Sequence, residues 1–437
     1  MTQRGAPGVL ARKPQTILEK NERMAKRLWL LGVAGLVLIA LLVACGSNYN
    51  PSQDGLLLVG SQGSGLIETF SFTLSNGHVS AIANSPNDTA NDVCVLKGLP
   101  ASMVILPNGQ YAYAVIQPNL TNCGSGTVGG IATFQVGANG NVTPVGNLIP
   151  GAGSLSMDPA GKFLFMANGG VGSFSIGTSG SLTPVSGTYT LNLPEGFQPP
   201  NIVAVAPTPT VFPPVGINGT VNSVCQVPGN QPPTSQFLYA VDALNYVVWE
   251  FSVDTSTGAL GNPPGQSQVP FFRTDQIPMG VAVDPCDRFA YVTDSLTNKI
   301  SAYQICANVQ LPTPCQSADG SLVAIATFAL SGSANGPGPI AVDPYGNNVY
   351  VVGTLSNTVS SFRISPISGS ITALTPPNVA TGLEPTSIAI RSDDNWMFVT
   401  NFNAATVSQY SITPATGALT VSQPIQTDNY PFGVAVK

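Results

Sequence analysis

The sequence predicts an all-β fold, a seven-bladed β-propeller of four-stranded antiparallel blades, and three observations predict it. Only 8% of the 437 residues are charged, while Gly (46) and Pro (38) are abundant, a composition that suits short strands joined by tight turns. A unit of one apolar strand, a turn rich in Pro, Asp and Gly, and three further strands recurs along the chain. Its markers Pro159 and Pro207, and likewise Pro344 and Ser392, are 48 residues apart, the spacing of four-stranded blades. Finally, the two ends of the chain are out of phase with whole units, so the tail holds a strand that the head lacks.

Taken in order, the first segment stands outside the repeat. Lys26 and Arg27 precede an apolar run at 28–43 that ends in Leu42-Val43-Ala44-Cys45, the layout of a secretory signal. The last four residues resemble the bacterial lipobox. Residues 1–44 are therefore expected to be a lipoprotein-type signal peptide, Cys45 the lipid-attachment site and 45–55 a flexible tether. An uncleaved transmembrane anchor is the alternative, because the run and its flanks approach the length of a membrane span. Either way the body lies outside the cytoplasm. Acyl chains on Cys45 would anchor it firmly, at about 0.8 kcal/mol per buried methylene. Met24 would itself open a compact signal, so Met1 and Met24 are both admissible starts. Gly46 after the Cys is not Asp, so the inner membrane is not favoured. The expected address is the cell envelope: outer membrane, periplasmic face or cell surface. Removing 1–44 takes seven of 15 Lys and Arg and two of 21 Asp and Glu, which leaves a net charge of −11. Nucleic acid and anionic membranes need basic stripes and are excluded as partners.

The propeller is expected over 56–437. Its sixth unit is the clearest: Pro339-Ile340-Ala341-Val342-Asp343-Pro344-Tyr345-Gly346, then Val349-Tyr350-Val351-Val352, Val359-Ser360-Ser361-Phe362 and Ile371-Thr372-Ala373-Leu374. The first strands are runs of Val, Ile and Ala, which predicts burial on both faces. The chain begins with a second strand, Leu56-Leu57-Leu58-Val59, and ends with a first strand, Pro431-Phe432-Gly433-Val434-Ala435-Val436. The tail therefore completes blade one and closes the ring, with insertions at about 208–236 and 306–320. Helical periodicity is absent after residue 45, and β-helix turns are shorter than these units.

Six cysteines remain beyond Cys45. Loops joining strands two to three and four to one share one rim of a propeller, and the other two loop types share the opposite rim. That topology pairs Cys94 with Cys123, Cys225 with Cys286 and Cys306 with Cys315. A metal site is the competing use, but there is no Cys-x-x-Cys and one His, so neither metal nor cofactor is expected.

Tyr291-Val292-Thr293-Asp294 and Phe398-Val399-Thr400-Asn401, each followed by an Ile-Ser or Val-Ser strand, resemble the Tyr-Val-Thr-Asn (YVTN) β-propeller repeat. From Leu56 to Lys437 the chain resembles the seven-bladed lactonase-like superfamily, which includes 6-phosphogluconolactonase. That resemblance implies a lactone hydrolase with Arg and His just ahead of a first strand and a Glu from a neighbouring blade. The matching positions, Pro278-Met279-Gly280, Pro339-Ile340, Pro385-Thr386-Ser387 and Pro431-Phe432-Gly433, hold neither Arg nor His. His78 falls on an outer hairpin turn of the opposite rim. The remaining catalytic candidates are Arg273, Glu384 and Glu195. Asp242, Asp275, Asp294, Asn401 and Asp428 are ligand-binding candidates, and each also suits a turn or strand cap. The sequence therefore points away from an enzyme and towards a monomeric binding or scaffolding module for a protein, glycan or small molecule. Lactone hydrolysis is the alternative, and convergence of Arg273 with a rim carboxylate at the axis would favour it.

Overall fold

The computed structural model describes residues 50, 54–82, 98–118, 129–185, 191, 193–209, 235–306, 315 and 319–437. The expected signal peptide, Cys45 and most of the tether lie outside these residues, as do Cys94, Cys123, Cys225 and 210–234 of the first insertion. The described strands form seven antiparallel sheets, each a four-strand meander. Every strand among the described residues lies within 54–437. Two short strands were not anticipated. Phe271–Arg273 and Ile425–Gln426 pair with the third strands of blades four and seven, beside the short fourth strands.

Ring closure follows the phase of the repeat. Pro431–Val436 runs antiparallel to Asp54–Ser61, with Val436 opposite Leu57 and Val434 opposite Val59. Lys437 and Leu56 exchange both backbone hydrogen bonds, at 2.9 and 3.1 Å. The seam is also packed: Leu57, Val59 and Phe72 of blade one share a core cluster with Trp396 and Phe398 of blade seven, and the Phe72 and Phe398 rings lie 5.1 Å apart. Closure thus removes two sheet edges and buries apolar surface in one step.

Burial corrects one expectation. The second strand of blade six, Asn348–Gly353, is buried throughout, whereas its first strand, Pro337–Val342, is only half-buried beyond Gly338. A second strand has neighbours on both edges and both faces. A first strand has a free edge at the axis, so its apolar run partly lines an opening.

Blades are tied by tyrosines of the second strands. Tyr113, Tyr239, Tyr291 and Tyr350 are buried and donate their hydroxyls to the carbonyls of Gly180, Gly320, Gly369 and Gly417 at 3.0, 2.6, 2.9 and 2.9 Å. Each acceptor lies before the fourth strand of the next blade. Burial of a tyrosine requires such a partner. Gly369 shows why the acceptor is glycine: its φ is +68°, and a Cβ there would come within 2.4 Å of the Phe289 ring.

Cys306 and Cys315 form the expected disulfide, with S–S 2.08 Å and Cα–Cα 5.4 Å. Cys286 is also disulfide-bonded, and Cys225, its expected partner, lies outside the described residues. The expected pair Cys94–Cys123 lies wholly outside them.

Candidate functional site

The seven first strands surround an axial cavity of about 710 Å³, within the range of small-molecule sites. Each first strand is hydrogen-bonded along one edge, so its other edge of N–H and C=O groups turns towards this space. Hydroxyls of first and second strands bond to the first strand of the next blade. Ser102 Oγ accepts from Leu155 N at 2.9 Å, and Ser154 Oγ donates to Val203 O at 2.8 Å. Thr293 Oγ1 donates to Gly338 O at 2.7 Å, and Thr400 Oγ1 to Phe432 O at 3.0 Å. The bonds of Ser102 and Ser154 occupy two hydroxyls of the cavity wall, which is otherwise largely aliphatic side chains and backbone. Among the described residues that line the cavity, Glu384 is the one ionisable residue.

The three catalytic candidates do not converge. Arg273 lies on the short strand opposite Val247, its guanidinium 5.4 Å from the Phe197 ring centre and 5.6 Å from that of Phe271. This cation–π clamp holds it on the flank of blade four, and it does not line the cavity. Glu195 is exposed in the connection that leads to blade four. Glu384 stands exposed at the cavity mouth, where its carboxylate accepts a hydrogen bond from Asn403 Nδ2. The Arg–carboxylate pair that lactone hydrolysis would use is not assembled.

Three of the ligand-binding candidates are hairpin caps. Asp242, Asp294 and Asn401 each end a second strand and are buried. Asp242 accepts from Trp249 Nε1 at 3.2 Å and Asn245 Nδ2 at 2.7 Å. Asp294 accepts from Ser301 Oγ at 2.7 Å, and Asn401 Nδ2 donates to Ser408 Oγ at 2.9 Å. The partner stands seven residues on in every case, and Ser61 Oγ donates to Glu68 at 2.6 Å with the same spacing and the roles exchanged. Burial pushes the Asp294 carboxyl up to about 7 against the opposing Ser301 hydrogen bond. Of the others, Asp275 is paired with Lys299 at 2.8 Å, and that hydrogen bond holds its carboxyl below the usual range. The backbone N–H of half-buried Asp428 donates to Glu68. The polar letters of Tyr291-Val292-Thr293-Asp294 are thus all engaged in architecture: the Tyr and Thr bind the next blade and the Asp closes its own hairpin.

Two features went unread in the sequence. Glu250 is fully buried, with neither carboxyl oxygen hydrogen-bonded; burial, and then Asp319, push it up to about 9. Its setting in Val-Val-Trp-Glu-Phe, between core residues, was the available signal. The second is backbone strain at the cavity mouth. Ile277, Glu384 and Tyr430 have φ of +53°, +54° and +60°, each directly ahead of the Pro that opens a first strand, and Gly336 holds the matching place in blade six. Left-handed backbone costs a non-glycine residue roughly 1–3 kcal/mol and clusters at working surfaces. Tyr430 packs 4.9 Å from Phe402, whose ring lies 6.1 Å from Phe432 inside the cavity. An apolar path therefore joins rim to axis.

Residues 229–435 match the family model described as Lactonase, 7-bladed beta-propeller. No curated protein matches the chain. Among solved structures, a 6-phosphogluconolactonase candidate from Bacteroides fragilis is 18% identical over 90% of this chain and 100% of its own, with a TM-score of 0.63. The periplasmic gluconolactonase of Pseudomonas aeruginosa is 18% identical over 88% of this chain and 99% of its own, also with a TM-score of 0.63. At such identity these likenesses establish the fold alone.

Proposed function

We propose that this chain, a lactonase-like seven-bladed β-propeller, is a monomeric binding module of the cell envelope. In this reading it is exported, held by a lipid on Cys45, and takes an uncharged, largely apolar ligand into its axial cavity. The observation that carries the reading is the cavity wall, where Glu384 alone is ionisable among the described residues. A charged ligand would be desolvated there without a counter-charge, which is costly, whereas apolar groups meet Val and Ile and a ligand's own polar groups meet the free strand edges.

Lactone hydrolysis is the second reading, and the family match over 229–435 favours it. Ring opening needs a group that moves a proton and donors at the developing oxyanion. Arg273 and Glu195 stand away from the cavity, and Glu384 has neither a cation nor a second carboxylate beside it among the lining residues. The two readings separate in one experiment on residues 46–437. The body is expected to bind the uncharged dye Nile red at one site, to lose that binding in Ser156→Trp, which fills the cavity from blade three, and to turn over no sugar or aliphatic lactone. Turnover that Arg273→Ala or Glu384→Gln abolishes would establish the enzyme, and dye binding that Ser156→Trp leaves intact would remove the axial site.

A further inference from the structure

From the sorting of side chains on one rim, we infer that the face carrying the loops between strands two and three and between blades docks a cationic amphipathic segment of a partner protein. Scattered exposed leucines are ordinary in any protein, but these are not scattered. Of the large apolar side chains exposed among the described residues, all but Ile367 and Val421 stand on this rim. Leu244, Leu296 and Leu355 occupy the same place in three consecutive hairpins, two residues past the second strand, and are 55%, 59% and 73% exposed. Met279 at the start of a first strand, and Leu383 and Tyr430 in the loops between blades, add to the arc, and Ile277, Glu384 and Tyr430 in those loops have left-handed backbone. Apolar surface gathered in this way marks an interaction face.

The charges choose the occupant. Glu195 lies two residues from exposed Leu193, Glu384 beside Leu383, and Asp428 two residues before Tyr430. No Lys or Arg pairs with these three carboxylates among the described residues, because Lys299 is held by Asp275 and Arg273 lies over Phe197 and Phe271. Apolar tips flanked by carboxylates fit a partner that alternates apolar and basic side chains. A second copy of this face would set acid against acid, and an anionic membrane would be repelled.

The test compares binding of residues 46–437, which hold every strand among the described residues, to two short amphipathic peptides, one of Leu and Lys and one with Glu in place of Lys. The Leu/Lys peptide is expected to bind at least about tenfold tighter, and added salt to weaken it. Leu296→Ser with Leu355→Ser, and separately Glu195→Gln with Glu384→Gln, are each expected to cost about tenfold in that affinity while leaving the melting temperature in place. The two leucines do not line the axial cavity, so the outcome is separable from that of the axial ligand. Failure of the wild type to bind, equal binding of the two peptides, or either variant binding as the wild type does would overturn the proposal. So would phosphatidylcholine vesicles capturing the body as well as the peptide does, or the leucines holding a dimer together.

Discussion

The two rims of the ring are built from the same repeat and differ in what they expose. On the rim that carries the turns between strands one and two and between strands three and four, charge is buried. Arg288 and Asp284 are both fully buried and bonded at 2.8 Å, and Arg288 reaches across to Gly346 O of blade six at 3.0 Å. Gln236 of blade four similarly donates to Asp158 of blade three at 2.9 Å. On the other rim Leu244, Leu296 and Leu355 stand in water. Exposed large apolar side chains are informative exceptions to ordinary sorting and gather on this second rim, whereas buried carboxylates occur on both, at Asp284 on the first and at the hairpin caps Asp242 and Asp294 on the second. One rim fastens blades together, and the other presents surface. The most direct way to break this division is to ask whether fastening really runs around the whole circle.

Deleting 431–437 removes the first strand of blade one, uncovers the edge of Asp54–Ser61 and takes Val434 and Ala435 out of the seam. The expected effect is the largest available, loss of the global stability of roughly 5–15 kcal/mol, seen as absence of a cooperative transition by circular dichroism. A melt close to that of the intact chain would mean that the blades hold without closure.

How far the molecule could be read from its sequence follows the same division. The ring, its seven units and the closing strand are legible because Asp343-Pro344-Tyr345-Gly346 and its counterparts recur at blade spacing, and because the Leu56 segment visibly lacks a first strand. The Cys306–Cys315 bridge follows from loop topology. The site is not legible, because its walls are largely backbone edges and aliphatic side chains, which leave no polar signature. The residues that did look functional, Asp242, Asp294 and Asn401, are polar because hairpins need caps. Their constant seven-residue distance to Trp249, Ser301 and Ser408 was the available clue. Arg273 misled because an isolated cation near a rim suggests an anion, whereas Phe271, two residues before it, and Phe197, distant in sequence, hold it.

A buried acid sharpens the contrast through pH. Glu250 keeps its proton in the folded state until about pH 9, whereas its ordinary value is 4.5. Between those values the unfolded chain has lost a proton that the native state retains. Stability is therefore greatest at the acid end of that window and falls as pH rises through it, by at most about 1.4 kcal/mol per pH unit for this group. Asp294, pushed up to about 7 by burial, and Asp394, pushed up to about 8 by burial and then by Asp343, act in the same direction. Melting temperatures of the body are expected to decline across this window, and Glu250→Gln to flatten the decline and melt higher than the parent at its alkaline end. Parallel profiles for the two proteins would show that Glu250 ionises freely in the fold.

The smallest expected effect discriminates most finely between the rims. Tyr291→Phe keeps the ring in its core cluster and removes one hydroxyl, so Gly369 O loses its partner at 2.9 Å and stability is expected to drop by about 1 kcal/mol in urea unfolding. Leu296→Ser removes a much larger apolar group, yet from a side chain already mostly in water, and is expected to stay within about 0.5 kcal/mol of the parent. Ranked by atoms deleted, the leucine should cost more; ranked by where the atoms sit, the tyrosine should. If Leu296→Ser proves the costlier change, Leu296 is packed in solution, and the division between a fastening rim and a presenting rim fails at its clearest residue.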